Sequence, residues 1–329
     1  MRKQLPFDVN VMPRAFPFYG NFFAILKGKG YNFSSILFNH YLNIYYMHPI
    51  PMVDYTECML RCSSVRKLFV CESLPKYSDH PIEQIKSCIN EGKYVVLNLN
   101  LRYLLSYQTE NNLYHDYMII GYDDDKQVFF LAGYWGGEQQ VISKYCVREF
   151  NFTDVAKATP KRGDKELSWF AWTRDLEYMF HYTCCLPENF KVEPVNLKKL
   201  KFTMFLYAYK LLPWSFNLRL YSFFKYATHL RIKKGNSISY DYRMLKAIEE
   251  HTKIVLSLIE TYAPVGSTFY DDYSIVVEKT NLMLNIQVKK QLQQKAEEAI
   301  SRIDELLIEI KKIEEDVVRK FYKKVIRKL

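Results

Sequence analysis

The sequence predicts an α+β chain: an antiparallel sheet with helices in residues 1–190, then an all-helical region in residues 191–329. Three observations predict it. Between Tyr94 and Tyr134 lie three apolar runs of strand length, separated by polar turns. After Asn196 the apolar residues take helical spacing, in residues 202–209, 216–230 and 240–262. Near the C-terminus, Ile300, Ile303, Leu307, Ile310, Val317 and Phe321 fall mostly at three- and four-residue steps with Glu and Lys between them, the pattern of an amphipathic helix.

The elements follow in order. Pro6, Pro13 and Pro17 argue against a helix before Pro17, whereas Phe18–Leu26 can form one with proline in its first turn and Lys27-Gly28-Lys29-Gly30 as its stop. Residues 34–46 read as a second apolar helix or a strand-like continuation, and the pattern does not separate the two. Asp79 is the expected cap of a helix over Ile82–Glu91, with Pro81 in its first turn and Gly92 ending it. Strands are expected at Tyr94–Asn100, His115–Asp123 and Val128–Tyr134, the last two joined through Lys126-Gln127. A further strand around Tyr145–Phe152, a short helix from Thr153 and one more strand over Glu177–Cys185 complete the first region. A long amphipathic helix over roughly Val277–Leu329, with a break, ends the second; it either packs on its own helical neighbours or pairs with a second copy as a homodimer.

Composition bounds the function. With 329 residues and 49% hydrophobic content the chain can bury one large core or two moderate ones, and 11 Gly and 12 Pro exclude a low-complexity protein. No apolar run reaches membrane-spanning length and the N-terminus carries no secretory h-region, so a cytoplasmic protein with reduced thiols is expected. Cys58 and Cys62 lack a second ligand pair, and the seven cysteines read as small core hydrophobes; no metal site and no cofactor are expected. Asp123-Asp124-Asp125 reads as a solvated turn, because consecutive acids there point in different directions. The net charge of +10 points to an acidic partner, with basic clusters at Lys198-Lys199-Leu200-Lys201, Arg231-Ile232-Lys233-Lys234 and Lys311–Lys328. No nucleic-acid motif accompanies them, so no nucleic-acid partner is expected, and solvated helix faces account for most of the charge.

Pro81-Ile82-Glu83 through Gly92-Lys93-Tyr94-Val95-Val96-Leu97, the His115–Asp123 strand with its Gly121-Tyr122-Asp123 turn, and Gly235–Tyr240 ahead of the C-terminal helices together resemble the family around butirosin biosynthesis protein H. That resemblance implies a papain-like, C39-peptidase-like fold. It also implies acyl transfer through a cysteine heading the first helix, with a histidine moving the proton and an Asp or Asn orienting the imidazole.

Carried over residue by residue, His115 matches the base. The nucleophile belongs near Arg14, Ala15, Phe16, Pro17 and Phe18, none of which can serve, and the orienting acid falls at Gly133. The resemblance therefore implies a degenerate member, a pseudoenzyme accessory to peptide or natural-product biosynthesis. Its cleft, lined by Phe16, Pro17, Phe18, Asn98, Asn100, Gly133 and Tyr134, would hold a peptide or a carrier-linked acyl substrate. Its basic helices would dock an acidic carrier protein or biosynthetic enzyme. The alternative is an active acyltransferase or peptidase-like enzyme with a relocated nucleophile, at Ser34, Ser35, Cys58 or Cys62. A non-covalent general-base role for His115 and a plain strand-end hydrogen bond stand beside these. Trp135-Gly136-Gly137-Glu138 is either a lip over the cleft or a plain loop.

Overall fold

The computed structural model describes residues 1–15, 17–47, 52–55, 65–75, 77–104, 113–135, 144–161, 167–168, 181–212, 217–235, 240–293 and 296–329. In chain order it begins with β1 (Arg2–Gln4), α1 (Pro17–Gly28), α2 (Ser34–His40), β2 (Ile44–Met47), β3 (Met52–Tyr55) and β4 (Val70–Ser73). There follow α3 (Pro81–Asn90), β5 (Tyr94–Asn100), β6 (Leu113–Asp123), β7 (Val128–Trp135), β8 (Lys144–Asn151), α4 (Phe152–Ala158), β9 (Leu167–Ser168) and β10 (Tyr182–Cys185). The remainder is helical: α5 (Leu197–Ala208), α6 (Asn217–Lys233), α7 (Tyr242–Tyr262), α8 (Phe269–Gln293) and α9 (Ala296–Lys324). No helix is long and apolar enough to cross a membrane among the described residues.

The chain divides into two compact units, Met1–Tyr31 with Ser64–Lys191, and Asn32–Ser63 with Val192–Leu329. The second unit takes Asn32–Ser63 together with the helices that follow Val192. The reason is local chemistry. The Asn39 amide donates to the Pro194 carbonyl and accepts from the Asn196 N–H, at 3.1 and 2.8 Å. Asn217 Oδ1 accepts from the Ile44 N–H at 2.9 Å, and His251 Nε2 lies 3.0 Å from the Leu42 carbonyl.

The sheet of the first unit runs β4-β10-β5-β6-β7-β8, with β1 and β9 also pairing to β6; all pairings are antiparallel except β6 with β9. All seven residues of β5 are buried, Asn98 and Asn100 included, and its first four form an apolar run without alternation. On one face α3 and α4 pack, through the Tyr122 phenol donating to Asn90 at 2.8 Å and Phe129 against Phe152 at 4.5 Å. On the other lies α1, tied in by the Tyr145 phenol donating to Asn21. A bulge between Ile119 and Gly121 resets the alternation of β6 midway, so Ile119 and Tyr122 share a face.

The helix before β5 spans Pro81–Asn90, and its cap is His80 without a side-chain bond; Asp79 does not cap it. The ambiguous stretch after Ser34 proves to be both readings in succession, α2 and then β2, which pairs with β3 in a hairpin. The expected long terminal helix is two helices, α8 and α9. Its apolar stripe packs inside the unit: Ile303, Leu307, Ile310, Val317 and Phe321 are each buried.

The helical unit also buries a polar cluster. Glu314 on α9, fully enclosed, accepts from the phenols of Tyr207, Tyr221 and Tyr273. The buried Glu249 on α7 is held by Lys246 at 2.6 Å and by Lys253.

Candidate functional site

His115 stands near the start of β6, opposite Leu99 on β5. Alternation places it on the same face as Tyr117, Gly133 and Trp135. Its ring lies 5.6 Å from that of Tyr117, which in turn stacks on Trp135 at 4.1 Å and 13°. The imidazole is about one-third exposed, and its Nδ1 sits 3.0 Å from Asp116 Oδ1 and 3.2 Å from the Asp116 carbonyl. Both of these are acceptors, so Nδ1 carries the proton in the neutral ring and Nε2 is the basic nitrogen. The carboxylate beside the imidazole thus comes from the next residue in the chain and not from β7.

Gly133 has a different role from the one expected. A Cβ there would stand 2.3 Å from the Tyr117 ring, so the position is glycine because an aromatic ring occupies the space where a side chain would project. No acid could be accommodated there.

The other expected cleft residues fall on the opposite, α1-covered face. Asn98 is the register partner of Asp116, and Asn100 that of Tyr114. Asn100 is buried and caps the turn over Leu101–Tyr103, accepting from the Arg102 N–H at 3.1 Å. Tyr134 donates its phenol to the Arg14 carbonyl, anchoring the approach to α1. Pro17 opens α1, preceded by the buried Ala15; Phe18 is the second residue of that helix, and Phe16 lies outside the described residues. His115 and Gly133 are therefore on one side of the sheet, and Asn98, Asn100 and Tyr134 on the other.

What links the two sides is Asp116. It is mostly buried, faces Asn98, and reaches back to the imidazole. Two buried phenols register its charge: Tyr145 and Tyr182 are both pushed well above the usual range, first by burial and further by neighbouring charges that include Asp116. The guanidinium of Arg66 lies 4.5 Å over the Tyr182 ring. Sequence reasoning missed Asp116, although its parity with Asn98 could have flagged it.

Two of the described thiols, Cys88 and Cys184, are poorly suited to nucleophilic work. Burial raises Cys88 and lifts Cys184 well above the ordinary thiol range, which disfavours the reactive thiolate. Ser34 and Ser35 belong to the helical unit, while Cys58 and Cys62 lie outside the described residues, as do Gly136–Glu138 of the expected lip. Among the described residues no group of three or more His, Cys, Asp or Glu could hold a metal ion.

The arrangement can orient an imidazole, keep its Nε2 basic and exchange a proton with a bound group. It carries no covalent nucleophile among Arg14, Ala15 and Pro17. No protein-family model matches the chain, and no curated protein matches it.

Proposed function

We propose that the chain is a catalytically silent, papain-like accessory protein of peptide or natural-product biosynthesis. Its sheet unit holds a peptide or a carrier-linked acyl group beside His115 without forming a covalent intermediate. One observation carries this reading: the carboxylate-held imidazole of His115 and Asp116 stands in a unit whose first long helix opens on Ala15 and Pro17, where a thiol would be needed. Loss of a nucleophile removes covalent catalysis outright, by about a million-fold in comparable triads. A carboxylate-held imidazole with its proton on Nδ1 still recognises a donor at Nε2, such as an amide N–H of a peptide or a pantetheine arm.

The test has two arms. Thiol- and serine-directed acyl probes should give no labelling that depends on His115. An acyl-loaded pantetheine or carrier protein should bind, and His115→Ala should weaken binding about ten-fold through the lost hydrogen bond. The retained proton-transfer pair is also what favours the second reading, an acyltransferase or peptidase-like enzyme with a relocated nucleophile. Covalent labelling abolished by His115→Ala would establish that reading and end the first.

A further inference from the structure

Helix α5 is apolar on two sides. Leu200, Met204, Tyr207 and Ala208 are buried in the helical unit, yet the outward stripe Lys198–Phe202–Phe205–Tyr209, at steps of four, three and four, is aromatic as well. Phe202 is 62% exposed and Leu211, just beyond the helix, 56%. The rings of Phe205 and Tyr209 each approach Tyr322 of α9, at 5.9 Å, which joins the stripe to the C-terminal end of that helix. Exposed apolar surface of this kind, continuous and rimmed by charge, marks a contact.

The rim is cationic. Lys198 and Lys201 flank the stripe, and Lys323, Lys324, Arg327 and Lys328 follow Tyr322. Among the described residues none of these six has a carboxylate within 4.0 Å, whereas Glu315 and Asp316 nearby are already taken by Lys210, Arg319 and Lys320. Five of the six are lysine. Protein interfaces deplete lysine in favour of arginine, and arginine is also the residue that stacks on bases. Lysine on a long stem beside exposed Phe, Leu and Tyr suits a lipid surface, where the ammonium stays at the phosphates while the rings enter the acyl boundary.

We propose that the outward face of α5, with the C-terminal end of α9, docks on an anionic lipid bilayer. Phe202, Phe205 and Leu211 enter the interface, Tyr209 sits at headgroup level, and the six cations meet lipid phosphates. The inference is independent of the reading of the sheet unit.

Co-sedimentation of the full chain with vesicles tests it. Vesicles of phosphatidylcholine mixed with phosphatidylglycerol should bind the protein, phosphatidylcholine alone should not, and added salt should release it. Phe202→Ser with Leu211→Ser should weaken partition by about ten-fold or more, since both side chains are solvent-exposed and can be replaced without unfolding. Lys323→Glu with Lys324→Glu should weaken it by at least roughly five-fold for each lysine, and serves as the second variant should the first fold poorly. The proposal is overturned by equal binding to both vesicle types, by no binding to either, or by variants that bind as the parent does. Binding to single-stranded RNA or an acidic protein, lost in the same variants while vesicles do not bind, would overturn it in favour of that partner.

Discussion

Glu314 in the helical unit is fully enclosed and accepts from three phenols, whereas Asp116 in the sheet unit is mostly buried, retains solvent contact and turns to an imidazole that is itself about one-third exposed. Both carboxylates sit among tyrosines. The difference is the partner. Phenols saturate Glu314 with neutral donors and leave it nothing to exchange with solvent, so its contribution is to fix the positions of α5, α6, α8 and α9. Asp116 faces an imidazole, a group that can take up and release a proton and that water can reach, which is the condition for chemistry or recognition. A buried carboxylate marks function only when its partner can change state.

Breaking the enclosed cluster should have the largest effect. Glu314→Ala leaves three buried phenols without an acceptor and opens a cavity, and should cost about 3–5 kcal/mol in urea unfolding. A loss below about 1 kcal/mol would show that the cluster is not what holds those helices. Next, Gly133→Ala forces a methyl against the Tyr117 ring and its stack on Trp135; the expected cost is about 1–3 kcal/mol by the same measurement. An unchanged midpoint would mean that the ring pair moves freely.

His251 supplies a pH dependence. Burial holds its folded-state pKa below the ordinary 6.5, against an opposing pull from Glu314. Below 6.5 the unfolded chain binds a proton that the folded chain refuses, so stability present above that pH falls as pH drops. The slope is up to about 1.4 kcal/mol per pH unit until the folded-state value is reached. Unfolding curves between pH 7.5 and 5 should show the decline in the parent and a shallower one in His251→Gln, which keeps a donor for the Leu42 carbonyl. Equal slopes in the two proteins would assign the dependence to other groups.

The smallest stability effect belongs to the site itself. His115→Ala should shift the unfolding free energy by less than about 1 kcal/mol, because the imidazole side of its contact with Asp116 is open to solvent and such a contact contributes little. A larger loss would make His115 a structural residue and remove its contrast with Glu314.

The sequence carried much of this fold, for identifiable reasons. Residues 94–135 were legible because β5 is buried on both faces and β6 and β7 are separated by a short polar turn ending at Gln127, whose φ of 55° lies in the left-handed region. The membership of Asn32–Ser63 in the helical unit was not, since it depends on amide bonds such as Asn39 with Pro194, across 155 residues, that leave no local pattern. At the site, His115 was visible as a strand-opening histidine. Its acid went unread: strict alternation directs Asp116 to the far face with Asn98, a parity that flags the residue, and only the geometry of the strand brings its Oδ1 to the ring. Gly133 gave a usable signal: glycine inside an apolar strand announces a close approach, here by Tyr117.

The discontinuity of the helical unit has a consequence for how the chain is made. Synthesis delivers α2, β2 and β3 early, but Asn217 and His251, the partners of Ile44 and Leu42, emerge 173 and 209 residues later. At about 5–20 residues per second the delay is tens of seconds. For that interval the aromatic hairpin around Tyr46 and Tyr55 waits on the ribosome without its helices, and nascent-chain chaperones have a defined segment to shield.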